Sequence, residues 1–404
     1  MQGDLKATIE AKKKENDCKF RSKSFGDALG LYVHVPFCPT ACDFCAFYQE
    51  QTDRAGIEAY LYGIEHEVSL YKVENAVDTY FFGGGTPGML IAEDLERLSK
   101  ILIKHFGAPT KEWTVEMAPS TVKADKLGVL KDLGVTRISM GVQSFDEQLL
   151  EAMGRQHSRK QIFKAYEQIR AADFKSVNLD LIFAIPGQDA DRLKKDIQEA
   201  ASLEPDHIST YCLTFEEDTA LYAKLAKGEI SLDADREAEL YLSCWRSMAE
   251  AGYEQYEVSN FSKPLQECIH NVNTWKMQQW IGLGPSASSQ FGGIRYSNVP
   301  DLEKWLCGLK EGAPDRVEVQ ELTPSLLMED ALIFGLRMNS GVDVEGLHQR
   351  FGKPLSQRVS QYLLEMEKCG YLERLGTRAL LTESGRLLAD AIGQNLMSSE
   401  QEDH

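Results

Sequence analysis

The chain has 404 residues, 43% of them hydrophobic and 26% charged, ordinary values for a globular protein long enough for two or three domains with their own cores. Its formal net charge of -18 argues against a nucleic-acid partner, because such binders carry a basic face. No apolar run approaches the roughly 20 residues of a transmembrane segment, and the polar start MQGDLKATIEAKKKENDCKF lacks the apolar stretch of a signal peptide. Nine unevenly spread cysteines fit free thiols in a reducing cytoplasm rather than a disulfide framework.

Residues 1–30 read as a polar N-terminal lead-in. Strands are then expected at LYVHVPF (31–37), TYFFGG (79–84), EWTVEMA (112–118), RISMGVQ (137–143), VNLDLIFAI (177–185) and HISTYCLT (207–214), each rich in β-branched or aromatic residues. Helical patterns such as AEDLERLSKILIKHF (92–106) and TVKADKLGVLKDLG (121–134) alternate with them. The expected fold class is therefore α/β, with β-α units over 31–215 forming an open parallel sheet or a partial barrel, and ligands at the C-terminal strand ends. Residues 215–255 are helical and charged, and 256–300 are dense in aromatic, Gly, Ser and Asn residues, so 216–310 reads as an α+β region closing the barrel. KEGAPDRVEVQELTP (310–324) reads as a linker. The remainder, 311–404, predicts helices over 325–338, 344–352 and 355–376, then a short strand and a last helix. That order points to a winged-helix-like C-terminal domain for packing or partner binding, with nothing basic to mark it for DNA.

The chemistry concentrates in CPTACDFCAF, where Cys38, Cys42 and Cys45 stand at C-x3-C-x2-C just after the first expected strand. Three thiolates leave a tetrahedral zinc site one ligand short, so a structural zinc clip needs His34 or a distant cysteine. Iron-sulfur clusters normally take four protein ligands. A cluster on three leaves one iron open for a small molecule.

This motif resembles the radical S-adenosylmethionine (SAM) superfamily. The resemblance implies a (β/α)6 partial barrel, a [4Fe-4S] cluster on Cys38, Cys42 and Cys45, SAM on the open iron, and Phe44 leaning over both. FFGGGTPG (81–88), Glu116, Gln143, Arg155 and Asp180 fall at or just beyond successive strand ends. Singly, each also reads as a capping or rim residue. YVHVPFC, GGGTP, GVQSF, GRQHS, DLIFAIPGQ and PDHISTYCLTFE are similar to the subfamily of anaerobic coproporphyrinogen III oxidase and the HemW-type haem chaperones, over nearly the whole chain. Tyr32, Gly84, Gly85, Thr86, Glu116, Gln143, Arg155 and Asp180 match that subfamily's SAM-contact positions.

Within the subfamily the oxidase pattern has a further cysteine where this chain has Phe47, as HemW-like sequences do. A phenyl ring can neither ligate iron nor move a proton, which weighs against coproporphyrinogen oxidase activity. YEVSNFSKPLQECIHNVNTW (256–275) resembles the stretch carrying an H-N-x-x-Y-W haem motif; His270, Asn271 and Trp275 match, and Thr274 replaces the tyrosine. An imidazole is a good haem ligand, Trp275 can pack on a porphyrin, and Cys268 stands two residues away; alternatively, these residues close the barrel. The small residues of WIGLGPSASSQFGG would, over an open barrel, permit close approach to SAM or a macrocycle. The resemblance implies a cytoplasmic haem chaperone that binds haem, a [4Fe-4S] cluster and exchangeable SAM, and passes haem to an acceptor protein. The alternative is a radical SAM oxidoreductase of porphyrin metabolism, acting on a tetrapyrrole.

Overall fold

A computed structural model describes residues 28–38, 42–51 and 53–397, so most of the expected lead-in, residues 1–27, lies outside the described residues. The six expected strands form β1 (Leu29–Val35), β2 (Thr79–Gly84), β3 (Glu112–Met117), β4 (Arg137–Gln143), β5 (Ser176–Phe183) and β6 (His207–Cys212). They pair in sequence order, all parallel. Crossovers run through α1 (Arg54–Val68), α2 (Ala92–Phe106), α3 (Ala124–Asp132), the short α4 (Glu147–Ala152) with α5 (Arg159–Ala171), and α6 (Ala190–Ser202). The helices start where side chains satisfy free amides: Asp53 caps α1, Ser158 and Gln161 form a capping box on α5, and Asp189 caps α6.

Alternation along each strand separates two environments. Leu31, Val33, Val35, Tyr80, Phe82 and Val115 are fully buried in the layer shared with Tyr60, Leu61 and Ile64 of α1 and Leu95, Leu98 and Leu102 of α2. The opposite face is polar: Glu112, Thr114, Glu116, Arg137, Ser139, Asn178, Asp180, His207 and Ser209 take the alternate positions of β3–β6. A barrel with hydrogen-bonding groups inside has its apolar core outside, between strands and helices.

The region after β6 is continuous with this sheet. Helices α7 (Ala220–Ala226) and α8 (Ala234–Glu250) precede β7 (Glu254–Glu257) and β8 (Asn260–Ser262), which extend the β6 edge. After α9 (Ile269–Trp275), β9 (Gln279–Leu283) runs parallel to β1 and begins an extension of that edge through β10 (Ser288–Phe291) and β11 (Ile294–Asn298). WIGLGPSASSQFGG is therefore a strand pair beside β1, not a flap over the barrel. Its Gly282 permits close approach of another strand: a Cβ there would lie 2.2 Å from Ser288 O. Following α10 (Leu302–Glu311), β12 (Arg316–Glu321) pairs antiparallel with β11 and completes a twelve-stranded sheet. The expected linker is thus an edge strand. Its RVEVQE sequence is solvent-exposed nearly throughout, and that polarity conceals it.

The C-terminal unit begins after this strand. It contains α11 (Pro324–Leu336), β13 (Val342–Asp343), α12 (Val344–Phe351), α13 (Gln357–Lys368), β14 (Leu372–Leu375) and β15 (Arg378–Leu381), then α14 (Glu383–Leu387) and α15 (Ala389–Met397). Helices α11–α13 with a three-stranded sheet ordered β13-β15-β14 match the winged-helix expectation; the tail of the third expected helix, LERL, is strand β14. This unit touches the lower end of the barrel, where Trp275 stacks on Phe334 at 5.7 Å and Met338 bridges to Glu257. Among the described residues no helix is long and apolar enough to cross a membrane.

Candidate cofactor site at the upper end of the barrel

The cysteine loop leaves β1 at its C-terminal end and is held on several sides. Cys38 N donates to Glu50 O at 3.2 Å, Asp43 N to Met153 O at 3.1 Å, and Leu221 N of α7 to Asp43 O at 2.9 Å. Lys224 pairs with the Asp43 carboxylate at 3.0 Å. Beneath the loop, the glycine turn after β2 binds the end of β1: Gly85 N donates to Val35 O at 2.9 Å and Thr86 N to Phe37 O at 2.8 Å. Both glycines are sterically required. A Cβ on Gly84 (φ +100°) would lie 2.5 Å from His34 Nδ1, and one on Gly85 2.8 Å from Pro36 C. Thr86 Oγ1 then lies 3.4 Å from Cys38 Sγ.

Cys38, Cys42 and Cys45 line one cavity of about 730 Å³ together with Phe44, Gly84, Gly85, Thr86, Glu116, Gln143, Arg155 and Asp180. Burial pushes the Cys38 and Cys45 thiols up. Among the described residues no group of three His, Cys, Asp or Glu side chains is placed to hold a single metal ion; the three thiols share a chamber. His34 is no fourth ligand, because Tyr32 OH lies 3.1 Å from its Nδ1 and Tyr48 O 2.9 Å from its Nε2. Tyr32 stands inside the barrel against Phe81, outside the cavity lining.

The electrostatics suit a zwitterion. Burial, then the neighbouring Asp180, push the Glu116 carboxyl up to about 8, against a hydrogen bond from Gly84 N-H. Asp180 is likewise raised by burial, opposed by hydrogen bonds from Ser139, Asn178 and Ser209. Arg155 sits across from them with its guanidinium 5.6 Å from the Phe44 ring centre and a buried Nε without a partner among the described residues. Two buried carboxyl groups and a guanidinium can hold an amino-acid head group, its carboxylate on the arginine and its ammonium on the acids, which that positive charge would draw back toward ionisation. Gln143 reaches this wall from a backbone of φ 68°, at a register shift in β4, a rare conformation for a residue with a side chain. Asp196 of α6 holds the following turn by accepting from Ser144 Oγ at 2.6 Å and Phe145 N at 2.8 Å.

The residues present fit a [4Fe-4S] cluster with SAM, the cofactors that the radical SAM superfamily implies: three thiols, a close glycine backbone and a zwitterion cradle share one chamber. Ile182, Tyr211, Cys212, Leu213 and Glu216 also line it, and no ligand motif in the sequence marks them. Their position at the C-terminal ends of β5 and β6 is the signal that marks them. Phe47 lines the mouth and is 66% exposed.

Cys268, His270, Asn271 and Trp275 lie at the other end. Helix α9 plugs the barrel where the strands begin. The Glu112 carboxylate accepts from Ile269 N at 3.2 Å, His270 N at 3.0 Å and Cys268 Sγ at 3.4 Å, and from Arg137 Nε at 3.1 Å. His270 Nδ1 lies 2.8 Å from Thr79 Oγ1 and its ring lies on Phe81 at 5.1 Å. Burial pushes the His270 imidazole down to about 4, so it is neutral. The structure therefore does not bring these four residues to the cysteine cavity.

The Radical SAM superfamily matches residues 32–200, and the HemN C-terminal domain matches 322–388. The chain is similar in fold to the solved structure titled "Coproporphyrinogen III oxidase (HemN) from Escherichia coli is a Radical SAM enzyme", at a TM-score of 0.81, 23% identity and coverage of 95% of this chain and 92% of that one. It is 32% identical to "Heme chaperone HemW" of Lactococcus lactis, over 82% of this chain and 90% of that protein. It is 30% identical to "Radical S-adenosyl methionine domain-containing protein 1, mitochondrial" of Danio rerio, over 80% and 78%. With 33% identity to "Heme chaperone HemW" of Bacillus subtilis, covering 89% of this chain and 97% of that protein, the chain belongs to the HemW-type family of radical SAM proteins.

Proposed function

We propose that this protein is a haem chaperone of the HemW type, which binds haem, carries a [4Fe-4S] cluster with exchangeable SAM, and delivers haem to an acceptor protein. Cys38, Cys42 and Cys45 hold the cluster. Phe44, Gly84, Gly85, Thr86, Glu116, Gln143, Arg155 and Asp180 bind SAM above it, with Tyr32 supporting the wall from inside the barrel. Held on these thiolates, the cluster would offer an open iron to SAM and, when reduced, an electron. The protein's own part is to desolvate that chamber and hold the SAM head group between Arg155 and the acids. A cytoplasmic site of action is consistent with eight free cysteines among the described residues.

The observation carrying this reading is the kinship with HemW proteins along nearly their whole length, joined to an exposed phenyl ring at Phe47 where an oxidase-type thiol is expected. Within it, His270, Asn271, Trp275 and Cys268 hold haem only once α9 has left the barrel. Its three bonds to Glu112 and one to Thr79, at roughly 1 kcal/mol each net, set the scale of that opening. The test is a paired assay on the anaerobically reconstituted protein. With SAM, reductant and coproporphyrinogen III it leaves the substrate undecarboxylated, while free haem is taken up saturably. Decarboxylation without haem uptake reverses the assignment.

A further inference from the structure

A file of hydrogen bonds runs through the barrel from the plug at its lower end to the cofactor cavity at its upper end. Cys268 N, at the start of α9, donates to Tyr256 OH at 3.3 Å. Tyr256 OH lies 2.8 Å from His207 Nε2, and His207 Nδ1 lies 2.6 Å from Asn178 Oδ1. Asn178 Nδ2 donates to Asp180 Oδ1 at 2.8 Å, and Ser139 Oγ donates to Asp180 Oδ2 at 3.0 Å. His207 and Asn178 are buried, at 1% and 4% exposure.

The directions are fixed from one end. Asp180 accepts at both oxygens, which turns the Asn178 amide so that its nitrogen faces the carboxylate and its oxygen faces His207. His207 must then carry its proton on Nδ1, leaving Nε2 to accept from the tyrosine. Every donor in the file points toward Asp180, so each bond polarises the next. Burial and the nearby Arg137 keep the His207 ring neutral, which preserves the single tautomer the file requires.

We infer that docking of α9 at the lower end of the barrel is communicated to Asp180 through Tyr256, His207 and Asn178, making His207 and Tyr256 positioning residues for the ligand of the upper cavity. The inference rests on the reading of that cavity as the SAM site. Undocking α9 withdraws the Cys268 amide from Tyr256. The tyrosine hydroxyl can then turn away from His207, whose Nε2 loses its donor, and the Nδ1-H bond that polarises the Asn178 amide toward Asp180 weakens. Grip on SAM and closure of the plug rise and fall together, and linkage makes the effect reciprocal.

A bland alternative is that these residues only stabilise a polar barrel interior. The control is Tyr253, whose hydroxyl donates to Pro205 O at 2.8 Å outside the file and which is also buried. SAM affinity of the anaerobically reconstituted protein is measured by equilibrium dialysis for wild type, Tyr256→Phe, Tyr253→Phe, Asp180→Asn and the Tyr256→Phe/Asp180→Asn double variant. Tyr256→Phe weakens SAM binding about three- to tenfold, on the scale of one lost hydrogen bond. Tyr253→Phe leaves it within about twofold, and Tyr256→Phe adds nothing in the Asp180→Asn background. In the wild type, SAM also slows amide exchange over Cys268–Trp275, and Tyr256→Phe reduces that protection. Unchanged affinity in Tyr256→Phe, or full additivity in the double variant, overturns the inference while leaving the SAM site intact. Failure of the wild type to bind SAM overturns the reading of the cavity itself, and the inference with it.

Discussion

Arg155 holds its guanidinium 5.6 Å from the centre of the Phe44 ring, and so joins the loop after β4 to the loop that carries the three cysteines. The guanidinium lies over the aromatic between Cys42 and Cys45, and its buried Nε has no partner among the described residues. Arg155→Ala removes that contact and the donor and is expected to weaken SAM binding by at least tenfold, the scale of one charge-assisted pair. Arg155→Lys keeps the charge but not the planar fork and recovers only part of the loss. Equilibrium dialysis against labelled SAM checks both, with iron content measured alongside to show that the cluster loads equally.

The ion pair between Glu112 and Arg137 is buried on both sides, with side chains 5% and 4% exposed, and the same carboxylate fastens the start of α9. Removing one member of such a pair strands the other in a low-dielectric site. Glu112→Ala is expected to cost about 3–5 kcal/mol of stability. Urea denaturation reads this as a lower midpoint at unchanged slope.

Glu67 on α1 ties the barrel to the strands added beside β1. It accepts from Gly284 N and Asn298 Nδ2, each at 2.7 Å, and burial pushes its carboxyl up to about 7 from 4.5. Between those two values the folded protein holds a proton that the unfolded chain has released. Stability therefore falls as pH rises from 4.5 to 7 and is level above, by up to about 3 kcal/mol from this group. Glu67→Gln cannot ionise and flattens this window. Denaturation midpoints at pH 5, 6 and 7 decide it, and an equally steep decline in the variant contradicts the assignment.

Much of the barrel is legible in the sequence, because a parallel strand buried on its outer face announces itself by β-branched and aromatic residues. TYFFGG and RISMGVQ are strands from end to end in the fold. The cysteine cavity is legible for a related reason: its residues sit where strands end, so position along the chain translates into position at one rim. The extensions are not. The edge strand Arg316–Glu321 is charged and exposed, which reads as a linker, and Leu372–Leu375 follows a helical period that its own LERL continues. The lower end is hidden for a topological reason. His270 meets Thr79 across 191 residues, and no local pattern encodes a contact of that separation. The same holds for His207 and Tyr256, which look like ordinary strand residues until the barrel places them in one file.

The cysteine cavity and the HNVNTW helix lie at opposite ends of one barrel, so haem binding at that helix is a question separate from the cavity. The most direct measurement is a haem titration of the anaerobically reconstituted protein, following the Soret band, beside His270→Ala. A haem chaperone saturates at about one haem per chain, with a weaker and shifted band in the variant and faster amide exchange over 266–277 when haem is bound. A band that never saturates, or haem binding that His270→Ala and the α9 amides do not register, would contradict a haem site on α9.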